Sequence, residues 1–529
     1  MCHRGGRAHR LVCAALAASL LAASPLLPAQ VRLPSLGESA SDELTVAAEK
    51  RLGDQVMRDI RRDPDYLDDP VLLDYLQAVW RPLVAAARQR GDLTADVDAL
   101  FAWEAFLVRD RSVNAFALPG GYVGVHLALI ALTSSPDELA SVLAHELSHV
   151  TQRHIARSIS TGQRQGLLAM AGLILGVLAA SRSHNPDAAQ AAIVGSQAAA
   201  AQGQLNFSRD MEREADRIGL GVLGQAGFAP SGMALMFEKL DQANRLNDSG
   251  AYPYLRSHPL TTERVSEARA RARGGSAPVA SAGPSRLEHQ LMQSRSRVLM
   301  DPSVQARRRL QDLDGEANGA AGKDRLPALY ASALASLVLR DFARAERAWS
   351  EGQRLGSAAG VAADVRAWRD WTLLGAELSL AQGDAAAASR RLAALADERG
   401  RPQLLLRSQL AVAGGDSEQI KRQAEALQAW VSEQRQDALA WAALAQCNER
   451  LGLGLRAVRA QAESHAALGD LPGAIERLRA GQRLARSGSA GQDFIEASII
   501  DARLRDLEAQ RRQLIADLRG GNRQPREPE

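Results

Sequence analysis

The stretch that most limits what this chain can become is His145-Glu146-Leu147-Ser148-His149. Imidazoles at i and i+4 stand one above the other only on a helix, so the segment has to be helical for the two rings to share anything. The residues before it are those of a helix start: Ser135-x-x-Glu138, with Pro136 in the first helical position, reads as a capping box. On such a helix both rings reach one tetrahedral ion, and Glu146 projects from the flank of the same face toward the ion's open position. A carboxylate there can take a proton from water whose pKa zinc has lowered, while the metal polarises a carbonyl. The motif therefore points to hydrolysis with one Zn2+ per chain, two imidazoles and a carboxylate suiting zinc best.

A third ligand has to come from another segment, and Met211-Glu212-Arg213-Glu214-Ala215-Asp216, which opens a second amphipathic helix, is the best source. Glu212 and Asp216 are i and i+4, so one can bind metal while the other faces the same site; Glu214 is turned from Glu212 by about 200°. Without a partner the same residues would be an acidic helix start favoured by the macrodipole. His154 lies about 140° off the face of His149 and is assigned a supporting or packing role rather than a ligand's. His126 reads as a packed core histidine at the mouth of a cleft, and His289 and His465 lie outside the catalytic region with no partner to name.

Around these motifs the expected fold is mainly α with a small sheet (α+β), because the chain is rich in Ala, Leu, Arg, Glu and Gln and only 4% aromatic. A length of 529 residues calls for two domains plus extras. Residues 40–90 carry helical periodicity interrupted at Asp63-Pro64 and Asp69-Pro70, where each Pro should start a new helix. Residues 101–108 and 115–125, the latter broken by Pro119-Gly120-Gly121, read as two or three strands. The Ala-rich stretches 167–180 and 188–201 are short for membrane spans and are expected as buried helices. Residues 274–285 form a linker, dividing a zincin-type catalytic domain (30–273) from a helical domain (286–518), with a disordered tail at 519–529. In the helical domain an Asp recurs with a small or apolar residue four positions on, as Asp341 to Ala345, Asp384 to Ala388, Asp416 to Ile420 and Asp470 to Ala474. That pattern suits tetratricopeptide-like repeats stacking around a concave partner surface; a generic α-bundle is the alternative.

Arg4, Arg7 and Arg10 followed by an apolar run read as a signal peptide over residues 1–29, directing export and leaving Cys447 as the only cysteine. A net charge of +3, with both signs interspersed, asks for neither nucleic acid nor an anionic membrane, while peripheral contact with a membrane stays open.

Four segments taken together resemble the M48 peptidases: Asn114-Ala115-Phe116-Ala117 with Gly120-Gly121, LASVLAHELSHVTQRH at 139–154, EREADRIG at 212–219, and Ser257-His258-Pro259-Leu260. The likeness covers most of residues 35–275 and is strongest to a protease of the Gram-negative periplasm. It implies His145, His149 and Glu212 as zinc ligands, Glu146 as general base, and Asp216 as a supporting carboxylate or proton donor. His258 would approach the metal as a fourth ligand and hold the enzyme latent. Val113, Asn114, Ala115, Phe116 and Ala117 would form an edge strand that pairs with extended substrate. The implied function is a periplasmic endopeptidase that degrades misfolded or stalled outer-membrane β-barrel proteins and assists their assembly, its repeats engaging the assembly machinery. The rival is a chaperone or scaffold working through the repeats with a mostly shut metal site.

Overall fold

The computed structural model describes residues 44–160, 208–246, 252–274, 283–316, 322–487 and 493–520. The signal peptide, both Ala-rich stretches, most of the linker and nearly all of the tail named above lie outside the described residues. Thr45 caps α1 (Val46–Ile60), its Oγ1 accepting from Ala48 N–H. Asp63-Pro64 does not begin a helix, contrary to expectation. Asp63 Oδ1 instead accepts from Asp65 N–H at 2.8 Å, an Asx turn that diverts the chain into β1 (Tyr66–Leu67). Asp69 caps α2 (Pro70–Arg90), with Pro70 at the first helical position as anticipated.

A short α3 (Ala95–Leu100) leads into β2 (Glu104–Val108), β3 (Ala115–Leu118) and β4 (Tyr122–His126). They form one sheet in the order β1-β2-β4-β3, with β2 parallel to β4 and the other pairs antiparallel. The β3–β4 turn needs glycine: Gly121 has φ of 89°, and a Cβ there would stand 2.8 Å from that of Phe101. β3 is an edge strand. His126 N–H bonds to Asn114 C=O, so by antiparallel alternation Phe116 and Leu118 also bond inward to β4, while the backbone groups of Ala115 and Ala117 point outward.

After α4 (Leu127–Leu132) comes α5 (Pro136–Thr151), which carries the paired histidines. Ser135 Oγ accepts from Glu138 N–H as a cap should, but the Glu138 carboxylate returns to Ser134 N–H at 2.8 Å and to Lys239 rather than to Ser135. α2, β3, α7 (Arg209–Gln225) and α8 (Ser231–Leu246) pack around α5 and bury all of it from Glu138 onward. α6 (His154–Ser160), α9 (Tyr254–Ser257) and α10 (Thr262–Gly274) complete this region.

The helical region begins with α11 (Arg286–Met300), which packs on α4 and α2, so that one apolar core runs from Val71 through Tyr330 and Trp371 to Leu406. Beyond it helices pack on their sequence neighbours through to Phe494–Gly520. The recurrent Asp is the N-cap in each case: Asp341, Asp384, Asp416 and Asp470 accept from the backbone three residues on. The residue four on, Ala345, Ala388, Ile420 or Ala474, is buried where the helix meets its neighbours. Ion pairs tie the two regions: buried Arg295 forks onto Asp69 at 2.7 and 2.8 Å and reaches Glu377 at 3.0 Å, and half-buried Arg401 forks onto Asp68 at 2.6 and 2.7 Å. Cys447 is a buried free thiol, and among the described residues no helix is long and apolar enough to cross a membrane.

Candidate metal centre

The motif helix and α7 are brought together by glycine. A Cβ on Gly219 would lie 3.0 Å from Ala144 O and 3.1 Å from His145 N, so the two backbones touch there, and Glu212, about two turns before Gly219, faces the same groove. Across the top runs the α9 segment, which delivers His258 at its C-cap. Tyr254 stacks on the His258 ring, with centroids 4.7 Å apart, and its N–H reaches Val113 C=O at the start of the edge strand.

His145, His149, Glu212 and His258 thus converge, each at most 2% exposed. His145 Nε2 is 3.0 Å from His149 Nε2 and 3.3 Å from His258 Nδ1. Glu212 places Oε1 2.9 Å from His258 Nδ1 and 3.5 Å from His149 Nε2, and Oε2 3.5 Å from His145 Nε2. Atoms bonded to one tetrahedral zinc at roughly 2.0–2.2 Å stand about 3.3–3.6 Å apart, so these separations are close to those of a single ion's ligand shell. The donor set, imidazole nitrogens and a carboxylate oxygen, is also the one zinc favours. The residues fit the metal.

Glu146 lies beside this cluster, wholly buried, with Oε1 3.4 Å from His258 Nε2. Neither carboxylate oxygen has a well-formed hydrogen bond. Burial raises its pKa, against the pull of the His258 and His145 imidazoles and of the Ala117 backbone N–H on the edge strand. A carboxylate left that way is suited to holding a proton rather than a permanent partner.

Asp216 stands behind His145, Oδ1 2.9 Å from Nδ1, on the ring nitrogen that faces away from the cluster. Burial opposes charge on Asp216, but the Arg264 guanidinium, forked onto it at 2.6 and 2.9 Å, and His145 hold its pKa below the ordinary carboxylate value. Arg264 also reaches Glu212 Oε2 at 2.8 Å and Pro259 C=O at 2.8 Å, fixing the carboxylate and the His258-Pro259 segment together. Nothing in the sequence singles out Arg264, one of four arginines along α10. Burial opposes ionisation of Glu212 too, yet the His258 and His145 rings hold its pKa far below normal. In the chain alone burial opposes charge on His145, but Asp216 and Glu212 lift its pKa to about 10, whereas burial keeps His149 neutral.

The remaining histidines separate clearly. His126 is buried against Ser112 and Phe116. His289 does have partners, Tyr75 Oη and Thr133 C=O, across the boundary between α11 and the catalytic region. His465 lies 2.8 Å from Asp470.

The Peptidase family M48 model matches residues 75–272. A beta-barrel assembly-enhancing protease of Escherichia coli (strain K12) is 32% identical over 470 residues, covering 88% of this chain and 90% of that protein. The chain belongs to peptidase family M48. Membership makes it a zinc metalloprotease, with a histidine and glutamate cluster of the right composition for one ion. A putative beta-barrel assembly-enhancing protease of Vibrio cholerae is 40% identical over 262 residues, 48% of this chain and 51% of the relative. The M48 likeness reaches further: a mitochondrial metalloendopeptidase of Saccharomyces cerevisiae is 30% identical over 195 residues, covering 36% of this chain and 53% of that one.

Proposed function

We propose that this chain is a zinc-dependent endopeptidase of the bacterial periplasm that cleaves misfolded or stalled outer-membrane β-barrel proteins and assists their assembly. The observation that carries the proposal is the placement of the sheet's edge strand beside the general base: among the described residues no strand pairs with β3 on its outer side, and the Ala117 N–H on that side acts on Glu146. An extended peptide added to β3 through Ala115 and Ala117 would be held by backbone bonds, with little demand on its sequence. Unfolded β-barrel chains, rich in strand-forming segments, are substrates of that kind. The names of the Escherichia coli and Vibrio cholerae relatives support the same direction.

In this reading His145, His149 and Glu212 hold the metal, and zinc supplies a Lewis acid that activates water and polarises the scissile carbonyl. Glu146 accepts the water's proton and passes it to the leaving amine. Asp216, behind the ring of His145, orients that ligand and does not donate a proton to substrate. His258 would be a fourth ligand to the metal, and because Tyr254 of the same segment occupies Val113 C=O, one movement of α9 would free both the metal site and the head of the edge strand. The division into a peptidase domain (30–273) and a repeat domain (286–518) belongs to this proposal, with the repeats recruiting substrate or the β-barrel assembly machinery.

A closed four-residue cluster also favours a second reading, a chaperone or scaffold working through the helical region with its metal site shut. The two are separated by zinc content and casein cleavage of the chain from residue 30 onward, beside Glu146→Gln and His258→Ala. One zinc per chain, with cleavage abolished in the first variant and raised in the second, is expected. Zinc without cleavage in any form would leave the scaffold, and absence of zinc would sink the proposal.

A further inference from the structure

The two helical histidines of the motif are backed differently. His145 has the carboxylate of Asp216 behind it. Behind His149 stands another histidine, His154, with Nδ1 2.9 Å from His149 Nδ1 and Nε2 3.1 Å from Glu214 Oε2. Glu214 is held in turn by Arg157 at 3.0 Å. Periodicity would carry His154 away from this position, and it arrives there because α5 ends. Thr151 is the last helical residue, Arg153 adopts φ of 50°, and the chain turns there so that His154 lies wholly buried beside His149. A left-handed non-glycine residue is uphill and persists only where its surroundings enforce it. Here the Arg153 side chain is clamped by Glu49 Oε2 at 2.8 Å and Leu44 C=O at 2.6 Å, and Glu49 is itself 2% exposed.

The hydrogen-bond roles along this chain are determined once His149 uses Nε2 toward the cluster. Its single proton then sits on Nδ1 and donates to His154 Nδ1, which must be the unprotonated nitrogen of that ring. His154 therefore carries its proton on Nε2 and donates it to the Glu214 carboxylate. Every atom in the chain has a role consistent with its neighbour.

We propose that His154, oriented by Glu214, is the positioning residue for His149, doing for the second ligand what Asp216 does for the first. One helix, α7, then serves the whole centre: Glu212 faces the metal position, Asp216 backs His145, and Glu214 backs His149 through His154. The inference rests on the reading of His149 as a metal ligand. A hydrogen-bond acceptor behind a liganding imidazole fixes its tautomer and ring angle and makes it a better donor, and its removal typically weakens metal binding about 10–100-fold.

The test is zinc affinity of the full chain by competition with a chromogenic chelator, with the visible spectrum of the Co2+-loaded protein as a second readout. His154→Leu should bind zinc about 10–100-fold more weakly and alter the Co2+ bands, while His154→Asn, whose amide oxygen can occupy the place of Nδ1, should recover most of the loss. Melting in excess chelator reports whether the metal-free fold is intact. Should His154→Leu fail to fold, Glu214→Leu, near the surface at 28% side-chain exposure, carries the same expectation of weaker zinc. Wild-type affinity in His154→Leu or Glu214→Leu, or a His154→Asn as weak as His154→Leu, overturns the positioning role. A wild-type chain that takes up no zinc would instead overturn the metalloprotease reading beneath it.

Discussion

Substituting Gly219 by Ala tests whether the α5–α7 contact sets the metal geometry. The added Cβ would stand 3.0 Å from Ala144 O, 3.1 Å from Ala144 C and 3.1 Å from His145 N, all backbone atoms that cannot rotate aside. Relief requires α7 to recede by a few tenths of an ångström. Glu212, two turns earlier on the same face, recedes with it, whereas metal–ligand distances tolerate only about 0.2 Å. Overpacking costs about 1–3 kcal/mol and replacing a helical glycine by alanine returns about 1 kcal/mol, so the metal-free fold should lose at most about 2 kcal/mol. The loss of zinc affinity should be separate and at least about tenfold, or ~1.4 kcal/mol. Chelator competition measures the affinity, and urea unfolding in excess chelator measures the stability. Unchanged zinc affinity in Gly219→Ala, with the fold retained, would refute the claim that backbone contact positions Glu212.

His289, drawn by burial from 6.5 to about 4, stays neutral in the fold but binds a proton once unfolded, so its contribution is complete above about pH 6.5 and is lost as pH falls toward 4. It amounts to about 3 kcal/mol at most, and His289→Gln should flatten the pH dependence of the urea midpoint over that window; an unaltered slope would count against it. Arg295→Ala leaves Asp69 and Glu377 without their shared cation and should cost about 3–5 kcal/mol, read by urea unfolding; a loss under 1 kcal/mol would mean that water replaces the guanidinium. Zinc at about a thousandfold over its Kd should stabilise the wild-type chain by about 4 kcal/mol against the chelated form, and His145→Ala should abolish most of that difference in calorimetry.

Local chemistry was enough to read much of this protein. The start of α5 at Ser135-Pro136, the shared face of His145 and His149, the Glu212–Asp216 spacing and the capping aspartates of the helical region all follow from interactions within four residues, which sequence states directly. Pro64 failed as a helix start for an equally local reason, since the Asp63 side chain bonds two residues on instead of capping. The edge position of β3 depends on a sheet order, β1-β2-β4-β3, that no single strand encodes. Arg264 was invisible because a buried guanidinium and a surface one look alike in an arginine-rich helix, and only the approach of α10 to α7 separates them. His154 is the sharpest case: helical periodicity turns it away from His149, and it backs that ring only because the helix breaks at Arg153, whose left-handed backbone is anchored by Glu49 from 104 residues earlier. Sequence by itself therefore determined which residue types could be gathered around one metal. Tertiary structure decided what stands behind them, because the supporting contacts are made between segments whose proximity is set by packing and not by spacing.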